Sequence, residues 1–414
     1  MGHCLGGRLA VNNVRVISTN DSRINAMNNA NNCLQLLAGL ILVGCLGLAG
    51  ACAGDLRQID GVDVELELMA HDIATPWGLA FLPACQFLVT ERDGALIRVD
   101  AAGNQSRVGG VPDIWAQGQG GLLDIEAARD FPMSRDIFLT YSALNRERLP
   151  ALFLAVAELS SDGNQLTNLR ILFEGDGSSG GRHFGARVIE TPDGMIYLTL
   201  GDRGAPMTAQ DLSISNGKIL RLRRDGSIPD DNPFVENPSA LREIWSYGHR
   251  NPQGAAIDVD AVLWTAEHGP RGGDEVNQIR RGQNYGWPVI SYGVHYSGRK
   301  VGEGVAKAGM EQPEFYWDPS IAPAGMTVYS GQLWPHWQGQ LFVGSLKFDY
   351  ISRLSRDPAM QEVERISFAE TLRVRDVEEA PDGTIWFTSE GRSAVYRIFP
   401  PGWKAQSEWP CVTQ

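Results

Sequence analysis

The chain has 414 residues, with 36 basic against 49 acidic side chains and a net charge of −13. So acidic a surface excludes nucleic acid and anionic membrane as main partners. With 43% hydrophobic and 21% charged residues, wholesale disorder is excluded too, and 47 glycines with 22 prolines point to many turns between short strands.

Residues 1–33 are Asn-rich and aperiodic, and Leu34 to Ala53 form one apolar run interrupted only by Gln35. That run is long enough to span a bilayer. Its small-residue end, Ala51-Cys52-Ala53, is closer to a secretory cleavage site, and Leu42-Val43-Gly44-Cys45 is similar to a lipoprotein box. We therefore expect residues 1–54 to be a secretory or lipoprotein presequence. The domain of residues 55–414 is then periplasmic or secreted, touching a membrane only through an N-terminal lipid anchor. Cys4, Cys33, Cys45 and Cys52 fall in the presequence; Cys85 and Cys411 remain, free to pair in an oxidising compartment or to stay as thiols.

From Asp55 onward one phrase recurs: a short apolar strand, a turn of the Pro-Asp-Gly kind, then a β-branched or aromatic strand. Its six copies begin at Trp77, Gly121, Gly185, Gly254, Met326 and Val374. Each leads to a further strand such as ALIRVD, KILRLRRDG, DEVNQIR, ISRLS or AVYRIF. Turn residues between two β-rich runs are a hairpin pattern. Repeats of this length with four short strands each predict an all-β, six-bladed β-propeller of four-stranded antiparallel blades. Two packed β-sandwiches are the weaker alternative, because six copies do not divide naturally into two.

The loops between these strands carry unusual polar residues. His183 lies in Gly181-Arg182-His183-Phe184-Gly185, and Asp202 follows in Gly201-Asp202-Arg203-Gly204. The intervening hairpin, turning at Pro192-Asp193-Gly194, brings its two ends together. A carboxylate beside an imidazole fixes its tautomer and raises its basicity, as a general base requires. The plainer alternative is a turn-capping histidine and a surface aspartate.

Further on stand YGHRNPQG, with Arg250 and Asn251, and EHGPRGGDE, with Gly269 and Pro270. Gly-Pro loops can expose backbone carbonyls, which hard cations such as Ca2+ accept as ligands. Glu275 and the carbonyl of Tyr285 could serve a second ion. Lys347, Arg373 and Arg375 stand at blade ends without obvious partners and suit a polyanionic ligand; surface salt bridges are the bland alternative. Gln119 and Gln210 add neutral hydrogen-bonding groups.

Taken in order, PWGLAFLP, GQGGLLD, the His183 loop, IYLTLGDRG, YGHRNPQG, EHGPRGGDEVN, GQNYGWP and RVRDV give a chain that resembles the soluble pyrroloquinoline quinone (PQQ)-dependent sugar dehydrogenases of the glucose/sorbosone dehydrogenase family. The resemblance covers residues 62–400. It implies His183 as catalytic base, oriented by Asp202. It implies PQQ held by Gln119, Gln210, Arg250, Asn251, Lys347, Arg373 and Arg375. It implies one Ca2+ on the carbonyls of Gly269 and Pro270 and a second, structural one at Glu275 and the carbonyl of Tyr285. Asp318 and Ser320 stand where some glucose-specific members carry a larger aromatic and a threonine.

The implied activity is oxidation of aldose sugars at C1 to lactones, with hydride passing to the quinone and electrons to an external acceptor. That acceptor is a separate molecule, because the chain has no CxxCH haem motif. The chain is expected to work as a monomer or dimer. Two other classes compete. A calcium-dependent lactonase-type hydrolase would want several carboxylates on one ion, and a non-catalytic ligand-binding propeller would bind no quinone.

Overall fold

A computed structural model describes residues 57–403. The expected presequence lies outside the described residues, as does Cys411. Cys85 is disulfide-bonded.

Six antiparallel sheets follow one another along the chain. Their first strands, Pro76–Leu82, Leu122–Ala127, Gly185–Glu190, Pro252–Ile257, Pro323–Val328 and Val374–Glu379, pack side by side into a closed ring around a central channel. These are the recurring phrases read from the sequence, and the architecture is the expected six-bladed propeller. Burial explains why the inner strands read as near-continuous apolar runs rather than alternating ones. Each blade is covered on both faces by its neighbours, so a strand such as Pro150–Leu159 is buried almost throughout. Outermost strands regain alternation: Gln361–Ile366 shows every second residue to solvent.

The ring is closed by the two ends of the described chain. Val62–Ala70 pairs with Ala394–Phe399, in a register that sets Glu65 opposite Phe399. This sixth sheet has five strands, not the expected four, because Arg57–Ile59 folds back on Val62–Ala70. The reversal uses Asp60 and Gly61, both at positive φ (53° and 71°), the conformation a two-residue hairpin turn demands.

One irregularity repeats in every blade. The pairing between first and second strands slips at Pro76/Leu79, Leu122/Ile125, Gly185/Val188, Pro252/Gly254, Ala324/Met326 and Val374/Asp376. A bulge bends a strand and re-aims its side chains. Six bulges at the same end of six inner strands splay one mouth of the channel open.

Candidate active site

At that mouth lies a cavity of about 1110 Å3. His183, Gln119, Arg250, Lys347, Arg373 and Arg375 line it, and so do Gly269 and Pro270. The loops from five blades that the sequence marked as polar therefore converge on one space.

The third blade supplies the titratable pair. His183 precedes the strand Gly185–Glu190 and Asp202 follows the strand Met195–Leu200, so antiparallel pairing returns the chain to the same end. His183 Nδ1 lies 2.6 Å from Asp202 Oδ1. Asp202 is fully buried. Burial alone would raise its pKa, but hydrogen bonds from His183 and from the Gly204 N–H (2.7 Å) outweigh it and hold the carboxyl below its usual value. An ionised carboxylate has no proton to give, so Nδ1 carries the hydrogen and donates. Nε2 is left with its lone pair. Burial lowers the imidazole pKa, and Arg250 adds to the lowering, against the pull of Asp202. A neutral imidazole with a bare Nε2 is an acceptor for a substrate proton. The histidine backbone sits at φ 54°, and its N–H is held by Gln119 Oε1 at 2.6 Å.

Two of the three cations are less free than the sequence suggested. Glu390 takes Arg373 Nε at 2.5 Å on one oxygen and Arg375 Nε at 2.6 Å on the other. The signal was invisible because Glu390 lies in a short turn, Glu390–Arg392, that reads as surface. Arg375 is buried and also donates to Gln253 Oε1 at 2.7 Å. Lys347 is exposed, its Nζ 4.7 Å from the Phe348 ring centre. Glu390 and the lining Asp318 against Lys347, Arg373, Arg375 and Arg250 still leave the cavity positive in an acidic protein.

Gln210 is not brought to the cavity wall. Its amide is occupied by Asn284 Oδ1 (3.0 Å) and the Trp287 carbonyl (2.7 Å), and its own carbonyl oxygen accepts from Asn284. It braces the loop behind Asp202 instead. Asn251 is fully buried; its Oδ1 accepts from the Gly185 N–H at 3.1 Å, while Nδ2 has no partner among the described residues.

Glu275 and Tyr285 meet elsewhere, around a tight space of about 10 Å3 that Gly269 and Glu267 also border. Burial, reinforced by the charge of Glu267, pushes Glu275 up to about 8. No group of three or more His, Cys, Asp or Glu side chains among the described residues is arranged to hold a metal. A cation here would draw on backbone carbonyl oxygens beside the Glu275 carboxylate. A Cβ at Gly269 would come within 2.2 Å of the Gly273 carbonyl oxygen and 2.4 Å of that of Gly272, so only glycine lets these carbonyls crowd together.

Several lining residues had no role in the sequence reading: Trp77, Arg92, Gln253, His268, Tyr292 and Tyr296. Trp77 opens the first repeated phrase and passed as a strand residue, and Gln253 stands in YGHRNPQG without having been singled out. His268 Nε2 is buried without a partner among the described residues, and burial, with Arg250 nearby, pushes its pKa well down.

Beneath the cavity, Arg187 fills the channel. From its own third-blade strand it reaches Asp124 (2.8 Å), Asp376 (2.7 Å) and the carbonyls of Gln253 (2.8 Å) and Arg375 (3.1 Å). Its guanidinium lies 4.3 Å from the Trp77 ring centre. Blades one, two, four and six are thus tied to one side chain.

This geometry has counterparts. Residues 73–397 match the family described as glucose / sorbosone dehydrogenase. The chain is 42% identical over 345 residues to the aldose sugar dehydrogenase YliI of Escherichia coli strain K12, covering 81% of this chain and 93% of that one. The apo-form crystal structure of the soluble aldose sugar dehydrogenase from Escherichia coli superposes with a TM-score of 0.78 at 40% identity, covering 81% of this chain and 99% of that chain. A PQQ-bound aldose sugar dehydrogenase from Streptomyces coelicolor superposes at 0.66 and 26% identity, covering 81% and 98%. On the family match, the relatives' identity and the shared propeller, the chain belongs to the glucose/sorbosone dehydrogenase family.

Proposed function

We propose that this chain oxidises aldose sugars at C1 to lactones, as a PQQ- and Ca2+-dependent dehydrogenase that passes electrons to an external acceptor. The observation that carries the proposal is the juxtaposition in one cavity of a neutral His183, oriented by Asp202, with a surplus of cations.

The residues present fit PQQ, a planar quinone bearing three carboxylates. Lys347, Arg373, Arg375 and Arg250 are the charges that would hold it, with Gln119 at the edge. The unpartnered Nδ2 of buried Asn251 is a donor awaiting an acceptor. Gly269 and Pro270 would give carbonyls to one Ca2+. Glu275 and the carbonyl of Tyr285 would hold a second, giving a partner to a part-buried carboxylate whose side-chain hydrogen-bond donor among the described residues is Asn277. Gln210, engaged with Asn284 and Trp287, would act on the cofactor only through them.

When bound, PQQ supplies the electron-deficient quinone carbonyl that accepts hydride, and Ca2+ polarises it. Everything else falls to the chain. His183 Nε2 accepts the proton of the anomeric hydroxyl as the C1 hydride departs. Asp202 stabilises the imidazolium that results. Lys347, Arg373, Arg375 and Arg250 would hold the quinone's carboxylates and so orient it toward the sugar bound beside His183.

The exported, N-terminally processed state belongs to the same reading: residues 1–54 would be the presequence and residues 55–414 the catalytic domain. Among the described residues no helix is long and apolar enough to cross a membrane.

The test is reconstitution. Apo protein given PQQ and Ca2+ should reduce an artificial dye with aldoses and yield lactone. Turnover that needs no quinone, or that survives exhaustive EDTA, would overturn the proposal. Lactone hydrolysis in place of lactone formation would favour the hydrolase.

A further inference from the structure

Arg203 is a buried charge with no carboxylate in contact among the described residues. It is 2% exposed. Its guanidinium spends itself on backbone carbonyls: Nη1 donates to Arg182 at 2.6 Å, and Nη2 to Gly180 at 2.9 Å and Pro150 at 3.2 Å. The same group lies 3.3 Å from the centre of the Phe184 ring. Burial pushes its pKa down to about 9. A buried charge paired only with dipoles is expensive, and a leucine or methionine would fill such a space more cheaply.

What the charge grips accounts for it. Arg182 and Phe184 are the residues on either side of His183. Arg203 itself is the neighbour of Asp202, and its own N–H points to the His183 carbonyl at 3.4 Å. One residue therefore fixes both ends of the His183–Asp202 hydrogen bond: the histidine through its flanking residues, the aspartate through the chain. The clamp is needed because His183 sits at φ 54° in a loop of glycines and serines, where the backbone has other choices.

We propose that Arg203 is the positioning residue of the general base, setting the His183 loop so that Nδ1 meets Asp202 and Nε2 faces the cavity. It touches neither sugar nor quinone. This inference rests on the proposed function for its kinetic arm only.

The test uses Arg203→Met and Arg203→Lys in the full chain. Lysine keeps the charge but has one ammonium, which cannot span three carbonyls or lie flat on Phe184. Two measurements are made. The first, on apo protein, is the downfield proton resonance of the His183 Nδ1–H, assigned by its loss in His183→Gln. The second, on protein loaded with PQQ and Ca2+, is kcat for an aldose alongside the Kd for PQQ. We expect the resonance to move or broaden in both variants. We expect kcat to fall at least tenfold, less in Arg203→Lys than in Arg203→Met, with the PQQ Kd within twofold of wild type. A merely structural role would lower the melting temperature and leave the resonance and kcat in place, and that result overturns the inference. Should Arg203→Met not fold, Arg203→Lys decides by the same criteria. Wild-type protein inert with PQQ would sink the proposed function, while the resonance would still decide the role of Arg203.

Discussion

The indole N–H of Trp287 donates to Oδ2 of Asp202 at 2.8 Å, across 85 residues of sequence. With Oδ1 taken by His183 and Gly204, both oxygens of this carboxylate face N–H donors only. An amide cannot replace it, since its NH2 would have to point at one of them.

Asp202→Asn should therefore cost more than the loss of a charge. We expect kcat to fall about 10- to 100-fold with quinone affinity intact. His183→Ala or His183→Gln should remove two to four orders of magnitude in kcat, again with PQQ still bound. Steady-state kinetics and a PQQ titration on the same proteins check both. An active His183→Ala enzyme with normal cofactor affinity would end the assignment of the base.

The pH dependence follows from the depressed His183 pKa. A base must be unprotonated to work, so activity is lost as pH falls through that value. Because burial places it below the usual 6.5, the acid limb of kcat should lie below pH 6.5, and activity should persist in mildly acidic buffer. A kcat-pH profile on loaded enzyme measures it.

Lys347 carries charge to the cavity without a carboxylate in contact, whereas Arg373 and Arg375 share Glu390. Lys347→Ala should weaken PQQ binding by about tenfold or more, roughly 1.5–3 kcal/mol for a charged hydrogen bond, and leave kcat at saturating PQQ nearly unchanged. Fluorescence titration gives the Kd. A loss confined to kcat would contradict this.

On the proposed function, Glu275 would make calcium binding a matter of stability. Its folded-state pKa, about 8, lies above the ordinary carboxylate value. Stability from the protonated form is then complete below about 4.3 and is lost as pH rises toward 8. Calcium-free protein should melt lower at pH 8 than at pH 5, and Ca2+ should restore more at pH 8. Glu275→Gln should flatten both responses. Thermal melts with EDTA or Ca2+ at the two pH values decide it.

Substrate range should be broad. At Asp318 and Ser320 the cavity wall carries small side chains rather than a bulky aromatic, and the Ser320 hydroxyl is already bound to Asp274 at 2.7 Å. Several aldoses, disaccharides among them, should show kcat/KM within about tenfold, roughly 1.4 kcal/mol of transition-state discrimination. One monosaccharide preferred by orders of magnitude would overturn this.

The fold was legible because every blade repeats the same physical problem: bury an inner strand on both faces, then turn. All six copies read from the sequence are inner strands. His183 and Asp202 were legible for a related reason, since a hairpin with its turn at Pro192-Asp193-Gly194 must return its ends to one place. Contacts that join separate loops were not. Glu390 clamps Arg373 and Arg375 from a turn after the next strand, and Gln210 turns toward Asn284 across 74 residues. Neither follows from local pattern. The six bulges leave no mark in strand propensity, yet they open the mouth. The fifth strand of the last sheet was missed although Asp60-Gly61 announces its turn.

Arg187 settles the traffic. On the far side of it the channel holds a separate cavity of about 240 Å3, bordered by Asp124, Glu378 and Arg187 itself. Among the described residues Arg187 therefore separates the two cavities. On the proposed function, sugar and electron acceptor would share the bulged mouth, and product would clear it before the acceptor reached the reduced centre. Initial-rate plots at varied sugar and acceptor should accordingly run parallel, the mark of a ping-pong cycle in which one cavity serves the sugar and the acceptor in turn.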